Sequence, residues 1–246
     1  MFSESHCHLR ATDEVIRQAE KDGFTLLINA GIDLKSSLNS VSTAKKYKIV
    51  KASIGIHPWY ANEYNKDVES TFTDLAKEAE VIAISEIGLD YTGRMTKDWV
   101  REETYIDEQI QSKTFLSQLK LARNLNLPAI VHDRTPGEEL LNLLLESGNA
   151  KTGLAIHGFS KGLDYAKKCV DNGIYLSVGL RTIQAAKPEF LDVIKWLNID
   201  SLLTETDSAS PQGVLTLCSL VGAVKGLSRD EVGEKATRNL MNLCNL

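Results

Sequence analysis

Imidazoles and carboxylates are the side chains that bind divalent cations best, and this chain spaces them in a pattern. It holds five histidines: His6 and His8 in H-x-H, His57 before Pro58, and the single residues His132 and His157. Glu86, within SEIGLD, and Asp207, within TETDS, stand in comparable settings. Each of these residues closes, or nearly closes, a short apolar run. H-x-H alone says little, and His57 beside Pro58 reads by itself as a hydrogen-bonded structural residue. His6, His8, His132 and His157 together with Glu86 and Asp207 say more. Six donors exceed the four that one tetrahedral zinc takes, so the pattern calls for two divalent ions with a carboxylate between them. Such a pair suits hydrolysis: water becomes nucleophilic near neutral pH and charge on the attacked centre is stabilised. The donor set accepts Zn, Mn, Mg or Co. A nucleophilic serine has no G-x-S-x-G to sit in, and Cys7 faces away from its two histidine neighbours with no base beside it.

These residues need elements that bring them together. Short apolar runs at 24–32, 49–56, 81–89, 128–132, 153–157, 174–178 and 201–207 read as strands, with the more polar 2–9 as an eighth. Helical period fills the gaps between them. Phe115, Leu119 and Ala122 share one face, and Val232, Ala236 and Leu240 follow Ser228-Arg-Asp-Glu231, the pattern of a capping box. Eight strand–helix units in 246 residues is about 31 residues each, ample for a βαβ repeat. Near-continuous apolar strands alternating with amphipathic helices predict an α/β protein, a single-domain (β/α)8 TIM barrel over 1–246. An open doubly wound sheet is the competing fold, and no G-x-G-x-x-G supports it. In a barrel the catalytic side chains lie at the carboxyl ends of the strands. All five histidines fall there.

The composition is 43% hydrophobic, 25% charged and 7% aromatic, which excludes a disordered chain, a collagen and a coiled-coil rod. No apolar run approaches the ~20 residues of a membrane helix. MFSESHCHLR lacks the basic and apolar stretches of a signal peptide, so a cytoplasmic protein is expected. The net charge of −5 weighs against a broad basic surface for nucleic acid, but not against a nucleic-acid enzyme whose metals supply local positive charge. Cys7, Cys169, Cys218 and Cys244 are scattered, without C-x-x-C, and read as reduced thiols. Nothing in the sequence calls for a protein partner.

Six segments resemble the TatD-type metal-dependent hydrolases, deoxyribonucleases among the amidohydrolase-like barrels: SHCH (5–8), GIHP (55–58), SEIGLDY (85–91), QLKLARNLNLPAIVHDR (118–134), IHGFS (156–160) and LLTETDS (202–208). They occur in the family's order across most of the chain. The resemblance implies one metal on His6, His8 and Asp207, a second on His132 and His157, and Glu86 as the bridge. It makes Asp207 the group that orients or deprotonates the attacking water. Arg134 would reach a substrate phosphate, with His57 and Tyr91 as weaker candidates for the substrate rim. The substrate it implies is a nucleic-acid end or a small phosphoester.

The chain also departs from that pattern. Glu4 replaces the usual Asp two residues before the first histidine. Strict alternation would place it on the interior face, one layer below His6, as a support rather than a ligand. No carbamylated lysine is available, since the fourth strand carries Glu86. The long basic loop usual after the last aspartate is replaced by SASPQG, and Lys161 enters where Gly is commoner. The stretch 91–109 is longer than usual. Its Arg94, Lys97, Trp99 and Arg101 either replace that loop or are solvated, and the solvated reading is the one adopted. The competing functions are a dinuclear amidohydrolase-like enzyme cutting a C–N or ester bond of a small molecule, and a binding module that kept the fold. A full ligand set argues against the last.

Overall fold

A computed structural model describes residues 1–95, 100–102 and 104–246. Eight parallel strands lie in chain order in one sheet. They are β1 (Phe2–Cys7), β2 (Phe24–Ala30), β3 (Val50–Ile54), β4 (Val81–Asp90), β5 (Ala129–Arg134), β6 (Leu154–His157), β7 (Ile174–Gly179) and β8 (Leu202–Glu205). Parallel neighbours need a crossover after every strand. The helices α1 (Asp13–Lys21), α2 (Leu34–Lys46), α3 (Lys66–Leu75), α4 (Glu108–Leu125), α5 (Glu139–Glu146) and α6 (Leu163–Asp171) cover the first six. Helices α7 (Leu180–Gln184) and α8 (Pro188–Trp196) follow β7, and α9 (Gly213–Lys225) and α10 (Arg229–Leu243) follow β8. The last strand returns to the first: Thr204 Oγ1 donates to Ser3 O at 3.1 Å and His8 N to Ser208 O at 3.0 Å. The architecture is the (β/α)8 barrel.

Burial holds these elements more than their ends do. Thr12 caps α1, accepting from Val15 N, and Ser228 and Glu231 form the expected capping box of α10. Each cap is worth ~1 kcal/mol. A fully buried Phe115 or Leu119 is worth ~1.5–3 kcal/mol, and scores of such side chains pack between sheet and helices. The barrel interior is filled by Leu26, Ile28, Ile130, Ala155 and Leu203, and Leu240 and Leu243 pack onto the same cluster. The lower barrel is therefore solid, and polar chemistry is left to the opposite end. Among the described residues no helix is long and apolar enough to cross a membrane.

Several element ends differ from the sequence reading. The ladders stop at Cys7, Ile54 and Glu205, so His8, His57 and Asp207 lie just past their strands rather than on them. Backbone bonds to neighbouring loops take over there: His57 N donates to Ile32 O at 2.8 Å and Asp207 N to His6 O at 3.1 Å. Asp207 adopts a left-handed φ of 48°, which re-aims its side chain as the strand ends. β5 instead runs two residues further than expected, to Arg134, paired with Asp90. Glu4 also departs from its expected place. The register is irregular between Glu4 and Cys7, which breaks strict alternation. Ser5 reaches Ser177 at 2.7 Å across the barrel, while Glu4 turns to the β1–β8 seam and Thr206.

The closest backbone approach near the functional end is at Gly88, opposite His132. Its φ is +150°, and a Cβ there would lie 2.0 Å from His132 O. Gly88→Ala is therefore expected to destabilise the protein by at least ~2 kcal/mol, because the obstacle is main chain that cannot rotate away. Urea unfolding checks this; a wild-type midpoint would mean that β5 yields freely.

Candidate metal centre and active site

The carboxyl ends of β1, β4, β5 and β6 converge on one carboxylate. Glu86 is buried, 3% exposed. Its Oε1 lies 2.8 Å from both His132 Nδ1 and His157 Nε2. Its Oε2 lies 3.3 Å from His6 Nε2 and 3.4 Å from His8 Nε2. Asp207 Oδ1 completes the second side, 3.4 Å from His8 Nε2 and 3.9 Å from His6 Nε2. One carboxylate thus turns one oxygen to each pair of imidazoles.

The outer ring nitrogens assign the inner ones. His132 Nε2 lies 3.2 Å from Asp90 Oδ2, and His8 Nδ1 lies 3.2 Å from Ala30 O. His157 Nδ1 lies 3.6 Å from Glu205 Oε1. Oxygen acceptors at the outer nitrogens of His132 and His8 take ring N–H groups, which turns the lone pairs of His132 Nδ1 and His8 Nε2 inward, while His157 Nδ1 has no hydrogen-bond partner. The buried His6 ring nitrogens have no hydrogen-bond partner. Inward lone pairs, two anions and an orphaned buried imidazole fit divalent cations. His6, His8 and Glu86 present ligand atoms within 4.8 Å of one another, and so do Glu86, His132 and His157.

The electrostatics agree. Burial alone would raise the Glu86 carboxyl, but His157, His57 and His6 outweigh it and hold it well below the usual range. Asp207 is likewise low: burial opposes its charge, and the His8 hydrogen bond with the His6 imidazole prevails. Burial disfavours a charged His157, yet Glu86 and Glu205 push it up to about 10, and Asp207 and Glu86 raise His8 in the same way. Groups that favour a proton on these rings favour any cation there.

Two residues outside the sequence reading support the centre. Asp90 Oδ2 accepts from Trp59 Nε1 at 2.9 Å as well as facing His132, and Asp90 Oδ1 accepts from Thr92. Glu205 accepts from Gly158 N at 2.6 Å and from Ser177 Oγ at 2.5 Å. Both had a signal. Asp90 shares the strand face of Glu86 by period two, and Glu205 is a charged residue inside an apolar run.

The substrate candidates divide. Arg134 lies on the same face of β5 as His132, with Nη1 donating to Asp133 O at 2.8 Å and Gly158 O at 3.2 Å. It lines a cavity of about 240 Å³ over the centre, together with Trp59, Asp90, His132, Glu205 and Asp207. His57 is not at the rim: it is buried beneath Trp59, its Nε2 3.4 Å from Glu86 Oε1. Its Nδ1 accepts from Trp59 N, so Nε2 carries the proton toward Glu86. Burial lowers its pKa to about 4. Tyr91 is not among the described residues lining that cavity; it stacks on Tyr105 and lines a separate groove along α4. Cys7 is buried in the outer core, its Sγ donating to Ile28 O, and burial pushes its thiol up.

The departures also find places. Arg101 is not simply solvated: it lines the cavity over the centre. Arg94 lies over the Tyr60 ring, and Lys97 and Trp99 fall outside the described residues. Lys161 Nζ is held by Thr135 O, Gly137 O and the Asp133 carboxylate, which ties the β5 and β6 loops together.

Glu4 yields a pH test. It is fully buried, accepting from Thr206 N at 2.9 Å and Thr206 Oγ1 at 2.7 Å, and burial lifts its carboxyl well above the usual range. A raised carboxyl stabilises the fold below its unfolded pKa of ~4.3 and loses that contribution as pH rises through the folded value. Glu4→Gln removes the titration and keeps the shape. Its stability advantage over wild type should therefore grow as pH rises above ~4.3. Denaturant unfolding across pH with chelator present checks this; a gap independent of pH would show that Glu4 is not the titrating group.

Comparison with known proteins agrees with this geometry. A family profile described as TatD related DNase matches residues 4–244. The metal-dependent hydrolase YabD of Bacillus subtilis (strain 168), itself described as uncharacterized, is 27% identical over 99% of this chain and 98% of its own length. The 3'-5' ssDNA/RNA exonuclease TatD of Escherichia coli (strain K12) is 26% identical over 80% of this chain and 72% of its own. Among solved structures, the TatD homologue YJJV of Escherichia coli k12 superposes with a TM-score of 0.83 at 24% identity, covering 100% of this chain and 98% of that one. A TatD family hydrolase of Entamoeba histolytica gives 0.82 at 19% identity, with 99% and 97% covered. With a family match over nearly its whole length and buried His/Glu/Asp clusters able to hold metal ions, the chain belongs to the TatD-related DNase family of metal-dependent hydrolases.

Proposed function

We propose that this protein is a phosphodiesterase dependent on two divalent ions, acting at nucleic-acid ends. The observation that carries the reading is Glu86, with one oxygen turned to His6 and His8 and the other to His132 and His157, beneath a cavity that Arg134 lines. His6, His8 and Asp207 would hold one ion, His132 and His157 the other, with Glu86 shared. When bound, the ions supply Lewis-acid charge for an anionic reacting centre. The other duties fall to the chain. Asp207, with a side chain 42% exposed at the cavity, is placed to orient a water and take its proton. Arg134 offers a planar fork to a phosphate, fixed from behind by its two carbonyl contacts. Trp59, Asp90 and Glu205 keep His57, His132 and His157 oriented. A nuclease named among the relatives, the exonuclease TatD of Escherichia coli, supports this substrate class.

Purified protein should take up two divalent ions per chain, and His132→Ala with His157→Ala should remove one of them. Elemental analysis after reconstitution decides. Glu86→Gln keeps the size but loses the shared charge, and should lose both occupancy and turnover.

Arg134→Ala should leave both ions bound and cost ~2–4 kcal/mol of transition-state binding on a short single-stranded oligonucleotide, by analogy with other truncated charge contacts. Arg134→Lys should recover part of that loss. The comparison substrates are a neutral amide and a neutral ester. Cleavage of these, with no action on the oligonucleotide, would overturn the phosphodiesterase reading in favour of a small-molecule hydrolase.

A further inference from the structure

Among the described residues, the cavity over the centre is lined by three arginines that come from three different segments of the chain. Arg134 ends β5, Arg101 lies in the segment after β4, and Arg181 lies in α7, directly after β7. The strands run in order around the barrel, so Arg101 and Arg181 reach the same cavity from different parts of its rim. The acids that share the lining lie toward the centre and are engaged there. Asp90 accepts from Trp59 and Thr92, Glu205 accepts from Gly158 and Ser177, and Asp207 faces His8.

Arg101 is held in place by neutral groups. Its Nη1 donates to Thr92 Oγ1 and to Gly93 O, each at 2.8 Å. Thr92 Oγ1 in turn donates to Asp90 Oδ1 at 2.6 Å, which connects this guanidinium to the carboxylate behind His132. Among the described residues, Arg101 and Arg134 donate hydrogen bonds to neutral oxygens. Among the described residues, the long cationic side chains lining the cavity are arginine rather than lysine. A guanidinium matches two phosphate oxygens at once, which an ammonium cannot do. A single scissile phosphate needs Arg134 and the ions. Arg101 and Arg181 bring two further guanidiniums to the same lining.

Building on the phosphodiesterase reading above, we propose that Arg101 and Arg181 form a second phosphate subsite at the mouth. The enzyme then selects substrates that carry a phosphate adjacent to the scissile one. This subsite is built from the segment after β4 and from helix α7 after β7. The substrate class is a phosphorylated or continuing nucleotide strand, rather than an isolated diester.

The test compares three dinucleotides on the metal-loaded enzyme: TpT, with one phosphate, and its 5'-phosphorylated and 3'-phosphorylated forms. Wild type should cleave one of the phosphorylated forms with kcat/KM about tenfold above TpT, mainly through a lower KM. Arg101→Ala and Arg181→Ala should each shrink that ratio to about threefold or less, with Arg101→Lys intermediate. A binding measurement stands beside the kinetics. Thymidine 3',5'-bisphosphate should bind wild type more tightly than thymidine 5'-monophosphate, and both alanine variants should lose that difference. Melting curves confirm that these variants at exposed positions remain folded. Wild-type cleavage of all three dinucleotides at similar kcat/KM would overturn the second subsite and leave the phosphodiesterase reading intact. So would a preference that survives in both variants. Failure to cleave any of the three would instead remove the phosphodiesterase reading, and the subsite with it.

Discussion

A buried carboxylate surrounded by imidazoles sets the terms for this structure. Glu86 is almost sealed from water and is nevertheless held charged, because nitrogens of His6, His8, His132 and His157, together with His57 from the loop after β3, approach its two oxygens within 3.4 Å. Burying such a charge alone would be prohibitive. The imidazoles must therefore arrive together, from β1, β5 and β6, at the same height as the end of β4. An eight-stranded parallel barrel meets that demand because every strand ends on the same rim.

The surrounding polar residues answer the same constraint from outside. An imidazole can face a cation with one nitrogen only if the other has an acceptor. Ala30 O and Asp90 provide those acceptors for His8 and His132, and the Glu205 carboxylate lies 3.6 Å from His157 Nδ1. Asp90 and Glu205 would themselves be costly burials without Trp59, Thr92, Gly158 and Ser177 to donate to them. The centre is thus two layers deep, and its outer layer reaches the backbone of four strands or their loops. Main-chain approach is correspondingly close, most of all at Gly88 against His132.

Charge is distributed unevenly between this centre and its mouth. The chain as a whole is acidic, with a net charge of −5. Acids dominate the floor of the active site, where cations belong, and arginines occupy the cavity wall above it.

The sequence by itself determined the repeat and the fold class, and it singled out six candidate donors at the ends of apolar runs. Hydrophobic periodicity is a local property, and apolar runs of strand length alternating with helical faces admit few architectures. Histidine and acid at the ends of those runs were legible for the same reason. Only the tertiary structure decided which atoms meet. The Glu4–Cys7 irregularity turned Ser5 into the barrel and Glu4 to the seam, against strict alternation. His57 sank beneath Trp59, Tyr91 went to another groove, and Arg101 came to the mouth. Asp90 and Glu205 gained roles from partners 42 and 47 residues distant in the chain, His132 and Gly158. Period and composition report what each segment buries. They do not report register shifts, loop paths or ring orientations, because those are settled by hydrogen bonds between segments that approach one another only once the barrel has closed.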